Sequence, residues 1–267
     1  MIGSEALRLL DGFRAERAID TTCHLGQWPF RLEASASVGD LRAYAVRHGL
    51  SEVWVSHLAS LFGFGTRAGN EQALRSCADD PFRVFVVLDP TATTWERELR
   101  WAVASGAAGV RIAPGFHRYR SPAATEVAIA CAELDLPLQV LVRLDDGRVR
   151  HPLLAVEDPR PEELAELLRA ATDTRMLVSG LRIEEWEQTR RHLDDIDLPR
   201  VHLDLWHVNG PLNIVDVLAK EEDRWVFGSG YPVQTPEATM LQLAASALET
   251  SELAALTSGN ARRLISR

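Results

Sequence analysis

Cysteine is scarce and scattered. The chain of 267 residues has 3 cysteines, Cys23, Cys77 and Cys131, and no two stand in a CxxC spacing. That argues against a disulfide framework and fits reduced thiols in a cytoplasmic protein. Long apolar runs are missing too. No stretch approaches the roughly 18 residues of a membrane span, so no membrane partner is expected. Near the start, Glu5, Arg8, Asp11, Arg14 and Glu16 are mixed with leucines, unlike a secretory signal. There is no basic excess. The net charge of -9 sets nucleic acid aside as a partner. The Gly-x-Ser-x-Gly elbow, the Walker loop and His-Glu-x-x-His are all absent, as is a glycine-rich dinucleotide fingerprint after any strand.

What the chain does have is alternation. Short runs rich in Val, Ile and Leu occupy 18–24, 52–57, 83–89, 109–113, 137–143, 175–179, 201–205 and 224–230. Between them, helical periodicity predicts helices over 39–48, 69–78, 94–104, 123–134, 161–172, 184–193 and 212–220. Two more follow the last run, at 236–249 and 252–265. Pro122, Pro161 and Pro236 stand at helix starts, where a missing N–H is harmless. The runs are apolar on both faces, as in a parallel sheet covered by helices. This pattern predicts an α/β fold, a (β/α)8 TIM barrel in a single domain over 1–267, with 1–17 as an N-terminal helical extension. An open doubly wound sheet is the alternative, and the missing fingerprint weakens it. In such a barrel the strand ends and the loops after them form the active face.

Three stretches carry a family resemblance. Asp20-Thr21-Thr22-Cys23-His24-Leu25-Gly26 resembles the Asp-x-His-x-His-x-Gly opening of the amidohydrolase superfamily. Gly228-Ser229-Gly230-Tyr231-Pro232 resembles its Gly-Ser-Asp-Tyr-Pro strand, and Gly259-Asn260-Ala261-Arg262-Arg263-Leu264 its closing helix. Gly109-Val110-Arg111-Ile112 and Leu136-Pro137-Leu138 match more weakly. The nearest branch is the metal-dependent one containing aminocarboxymuconate semialdehyde decarboxylase. The resemblance implies a divalent metal, usually zinc, but the motifs are degenerate here. Thr22 stands where the first histidine belongs, and Leu141 near the strand-five histidine. Ser179 or Gly180 replaces the catalytic histidine and Gly230 the aspartate. Zinc in a catalytic site takes typically three protein ligands. No cofactor is therefore expected from the usual ligand set. A rearranged zinc site would join His24 to His57, His117 or His207.

Candidate chemistry remains at the strand ends. Period two turns Asp20, Thr22 and His24 to one side, expected to be the barrel interior. His24, His117, His151 and His207 are candidate acid/base residues. Arg143 is placed to grip a carboxylate with its fork, with Asp145, Arg148 and His151 ordering the loop; a solvated salt-bridge loop is the alternative. Arg111 lies in an apolar strand and must find a partner, with Asp89, Asp20 and Asp204 as candidates. Trp206 and Tyr231 complete the candidate substrate-binding set, although Trp206 also reads as a packing residue. The 61–65 loop either closes over a ligand or plugs the barrel. Cys23 should point to the helix side, buried and inert.

The leading expectation is an amidohydrolase-like enzyme that hydrolyses or decarboxylates a small, carboxylate-bearing molecule without the usual zinc. The alternatives are a pseudoenzyme that binds a metabolite or partner, and a hydrolase with a rearranged metal. A homodimer would be unexceptional.

Overall fold

The computed structural model describes residues 2–31, 35–62, 65–148, 150–193 and 196–266, with side chains from residue 4 onward. Gly63 and Phe64 of the expected closing loop lie outside the described residues. The strands are β1 (Ile19–Gln27), β2 (Ser35–Ala36), β3 (Glu52–His57), β4 (Phe82–Leu88), β5 (Gly109–Ile112), β6 (Leu138–Leu141), β7 (Met176–Ser179), β8 (Val201–Asp204) and β9 (Trp225–Val226). They form one sheet in the order β2-β1-β3-β4-β5-β6-β7-β8-β9. Among the described residues only the β1–β2 pairing is antiparallel.

The sheet closes on itself. Thr21 N donates to Phe227 O at 3.1 Å, Gly230 N to Thr22 O at 2.9 Å and His24 N to Tyr231 O at 2.8 Å. Cys23 and Tyr231 form the matching parallel bridge. Closure leaves the parallel strands without a free edge. The result is the (β/α)8 barrel expected from the alternation of short apolar runs with helical segments.

Local signals fix the helices around it. Ser37 and Asp40 form a capping box at the start of Val38–His48, and Gly49 ends that helix in the left-handed region at φ 66°. Pro161, Pro211 and Pro236 open their helices as the sequence suggests for Pro161 and Pro236. Some boundaries differ. The short antiparallel β2 and the one-turn helices Ala59–Phe62 and Pro114–His117 carry too few residues to show periodicity. The expected 236–249 helix ends at Ala244, and the last helical stretch contains a wider turn at Ala255–Gly259.

The interior is layered. At the strands' N-terminal end, Ile19, Trp54, Phe85, Leu177 and Val226 pack against Ala261 and Leu264 of the closing helix. At the other end, Trp28, Leu58, Leu61, Val87, Leu141, Leu144, Trp206 and Val233 form a second apolar cluster. A wholly buried polar set, Thr22, His24, Arg111, Gln139, Ser179 and Asp204, accompanies them. The largest core cluster packs the strands against the helices and includes Cys23, Tyr44 and Val140.

Candidate functional site

The polar set is one connected network. Arg111 Nε donates to Gln139 Oε1 at 2.8 Å. Gln139 Nε2 donates to Thr22 Oγ1 at 2.8 Å, and Thr22 Oγ1 donates to Asp204 Oδ2 at 2.7 Å. Ser179 Oγ also donates to Asp204, as does Gly180 N at 2.9 Å. Trp206 Nε1 reaches Ser179 Oγ at 3.3 Å. Every step from guanidinium to carboxylate runs donor to acceptor in the same direction.

This answers the question of Arg111's partner in an unexpected way. No carboxylate among the described residues pairs with it directly. It reaches Asp204 through an amide and a hydroxyl, and it also donates to Cys23 O at 3.1 Å and Thr21 O at 3.5 Å. Burial lowers its pKa to about 10, so it stays charged at neutral pH. Burial also pushes Asp204 up to about 6, against the pull of its three donors. His24 Nδ1 lies 3.3 Å from Arg111 Nη1. A guanidinium only donates, so Nδ1 accepts and the ring proton sits on Nε2. Nε2 is buried and has no partner. Burial, with Arg111 second, holds His24 well below the usual histidine range.

Asp20 departs from expectation. The β1–β3 register shifts between Asp20 and Cys23, a bulge that breaks strict alternation. Asp20 therefore turns away from Thr22 and His24. It accepts from Ser229 Oγ and Tyr44 OH, both at 2.6 Å, from Ser229 N at 3.0 Å and from Cys23 Sγ at 3.1 Å. Cys23 is buried and its thiol pushed well up by burial, as an inert cysteine should be.

Arg143 is not a free fork. It is 3 % exposed, and its guanidinium is shared between Asp158 at 2.8 Å and Glu185 at 2.5 Å. Asp158 also pairs with Arg150 at 2.7 Å, and Arg150 with Asp145 at 3.0 Å. Arg148 pairs with Asp146 at 2.7 Å. The loop is a chain of ion pairs, but with Arg143 and Asp145 buried it is not the solvated loop given as the alternative. Asp158 and Glu185 lie 15 and 42 positions from Arg143. Strand and helix periodicity gives no sign of either.

The remaining candidates scatter. His207 is buried beside Trp206, with ring centroids 4.5 Å apart; burial pushes it down to about 4 and its Nε2 is unpartnered. His117 Nε2 contacts Ser60 O at 3.1 Å. His151 is exposed, near the Phe30 ring at 5.5 Å. Tyr231 stacks on Tyr44 at 4.4 Å, on the helix side of β1. His57 Nδ1 accepts from Ala59 N at 3.0 Å. Thus Arg111 and His24 come together, and so do Trp206 and His207. His117, His151 and Tyr231 are each engaged elsewhere. Gln139, Thr22, Ser179 and Asp204 join the site as residues the catalytic reading had left out.

A divalent metal does not fit this donor set. Among the described residues no group of three or more His, Cys, Asp or Glu side chains is arranged to hold one. Gly230, at φ 70°, lies under the indole: a Cβ there would meet Trp206 Cε3 at 2.2 Å. An aspartate at 230 is therefore incompatible with Trp206 in this position. Leu141 is wholly buried in the same apolar cluster as Trp206, and Asp204 already accepts from Thr22, Ser179 and Gly180.

A closed barrel with a buried polar centre below the C-terminal strand ends defines the general class, a TIM-barrel protein. Residues 19–267 match the family model described as Amidohydrolase, and the chain belongs to that family. No curated protein sequence matches. The fold is similar to 2,6-dihydroxybenzoate decarboxylase from Rhizobium, at TM-score 0.68 and 16% identity, covering 93% of this chain and 97% of that one. It is similar to 5-carboxyvanillate decarboxylase from Sphingomonas paucimobilis, at 0.70 and 14%, covering 93% and 98%. It is also similar to dihydroxybenzoic acid decarboxylase from Polaromonas sp. JS666, described with bound manganese and the inhibitor 2-nitroresorcinol, at 0.65 and 15%, covering 93% and 96%.

Proposed function

We propose that this chain binds a small, carboxylate-bearing molecule and has given up metal-centred hydrolysis or decarboxylation. The observation that carries the reading is the Trp206 indole over Gly230, beside an Asp204 that accepts from Thr22, Ser179 and Gly180. Metal chemistry needs an open coordination position and a water whose pKa the ion lowers. Here that volume holds side chains. The carboxylate class is supported by the fold's likeness to proteins named as decarboxylases of 2,6-dihydroxybenzoate and 5-carboxyvanillate.

A second reading keeps decarboxylation or hydrolysis without a metal. It is favoured by His24 and His207, two buried neutral imidazoles each with an unpartnered Nε2 that can hold or pass a proton.

One experiment separates the two. Aryl and aliphatic carboxylates are assayed for CO2 release and hydrolysis, with and without added Zn2+ or Mn2+, on protein of measured metal content. Our reading expects no stoichiometric metal and no turnover. Turnover that is independent of metal and lost in His24→Ala would replace it with the second reading. Turnover restored by either ion would establish a rearranged metal site.

A further inference from the structure

Trp206 is held unlike the other buried tryptophans. Trp28, Trp54, Trp186 and Trp225 are at most 3 % exposed, whereas Trp206 is 7 % exposed. Trp54 and Trp186 each donate from Nε1 to a carboxylate, Glu52 and Glu221, at 2.6 Å. Trp206 Nε1 reaches the Ser179 hydroxyl at 3.3 Å. That is beyond the usual N–H···O range of about 2.7–3.2 Å. Its backbone belongs to no strand or helix. β8 ends at Asp204, and Val208 N donates to Leu205 O at 2.8 Å. This closes a tight turn with Trp206 and His207 at its centre, anchored by buried Leu205 and Val208. The indole can therefore rotate out without breaking a strand pairing.

The space that the indole fills is a slot for a flat ring. Its floor is the bare backbone of Gly230. A Cβ there would lie 2.2 Å from Cε3, 2.3 Å from Cζ3 and 3.0 Å from Cδ2, all atoms of the six-membered ring. Leu141, Leu144 and Val233 belong to the same apolar cluster. One polar atom meets the ring edge, Ser179 Oγ, the hydroxyl that also donates to Asp204. It already accepts from the indole, so it faces into the slot. His207 packs on the ring at 4.5 Å from within the same turn.

We infer that this slot binds a planar aromatic ring and that Trp206 is its built-in occupant, an autoinhibitory contact that a ligand's ring displaces. For the class of ligand the inference rests on the carboxylate reading above. An aromatic carboxylate puts its ring over Gly230 and keeps its charge outward, because burying that charge against Leu141 and Val233 would be costly. A ligand that must first expel the indole binds with an affinity reduced by the fraction of chains whose ring is out. An indole seated about nine times in ten weakens binding by about tenfold. A ring that is only core packing does not leave, whatever is added.

The probes are indole and sodium benzoate, titrated into the isotope-labelled full chain while its seven tryptophan Nε1–H signals are followed by NMR. The Trp206 signal is identified by its loss in Trp206→Phe. Both probes should saturate the wild type and move the Trp206 signal. Trp206→Ala should bind each about tenfold tighter or more, and Trp206→Phe, with its smaller ring, about threefold tighter. If the alanine variant does not fold, the phenylalanine variant and the wild-type signal still decide. If saturation leaves the Trp206 signal in place, or the variants bind no tighter, probe and indole do not compete and the inference is overturned. If neither probe binds the wild type, Trp206 is core packing and the inference is overturned as well. If indole behaves as expected while benzoate binds neither wild type nor variant, the slot stands and the carboxylate reading fails.

Discussion

Two carboxylates, Asp20 in β1 and Asp204 at the end of β8, lie wholly buried, and the barrel treats them differently. Asp204 belongs to the centre. It is joined to a buried cation by a relay of one amide and one hydroxyl. Asp20 belongs to the flank. Ser229, Tyr44, Cys23 and the Thr22 amide surround it with donors, and no cation among the described residues touches it. Burial raises both pKa values, and hydrogen bonds pull both back without winning. The comparison shows two ways to bury an acid: dilute its charge over several neutral donors, or connect it to a cation at a distance. Only the second leaves a polar path across the barrel, and that path runs where the family resemblance would put a metal.

The largest effect should come from removing the cation. Arg111→Met leaves Gln139 and two backbone carbonyls without a donor and Asp204 without compensation. We expect a loss of about 3–5 kcal/mol, the range for breaking a buried ion pair from one side. Urea unfolding measures it, and an Asp204 carboxyl NMR titration should move further up while Asp20 stays put. Equal movement of both acids would erase the distinction drawn here.

Next comes the indole. Gly230→Ala combines left-handed strain of about 1–2 kcal/mol with overlap of about 1–3 kcal/mol against Trp206. In a Trp206→Ala background only the first part should remain. A double-mutant cycle that comes out additive would show that position 230 and the indole are independent.

Much of this was legible in the chain, and the illegible part has a physical pattern. Alternating apolar runs and helical segments gave the barrel because burial on both strand faces is a local, repeated signal. Arg111 in an apolar strand announced a partner, and Cys23 an inert thiol. What could not be read was who meets whom across the barrel. Gln139 is an amide with no charge to advertise its place between Arg111 and Thr22. The bulge that turns Asp20 outward breaks period two without a glycine to mark it. Trp206 over Gly230 joins two loops that only closure brings together. Arg143 read as a carboxylate grip because Asp158 and Glu185 are distant in sequence.

The third effect is in pH. Asp204, raised from 3.8 to about 6, makes the folded state hold a proton the unfolded chain has released. Its contribution is therefore present at low pH and lost as pH rises through 4 to 6, by about 3 kcal/mol. His202 and His207 act oppositely. Both are lowered from 6.5 to about 4, so stability rises with pH over 4 to 6.5, by about 3 kcal/mol each. Two histidines outweigh one acid, and the wild type should gain stability across that window. Asp204→Asn removes the opposing slope, so its gain should be steeper by about 3 kcal/mol. Urea midpoints at pH 4.5, 5.5 and 7 test this, and parallel curves for the two proteins would mean Asp204 is already ionised at the low end.

The smallest effect belongs to the flank. Tyr44→Phe removes one of several donors to Asp20, a hydrogen bond of 2.6 Å, and keeps the ring stacked on Tyr231. Because Ser229, Cys23 and the Thr22 amide remain, the loss should be only about 1–2 kcal/mol. The carboxyl of Asp20 should titrate higher than in the wild type, while Asp204 does not shift. That asymmetry follows from the two designs: a charge spread over many donors loses a fraction when one goes, whereas a relay fails at any link. Thr22→Val, which breaks the relay at its hydroxyl, should therefore cost more than Tyr44→Phe although each removes one hydroxyl. If thermal unfolding ranks them the other way, the relay is not what holds Asp204.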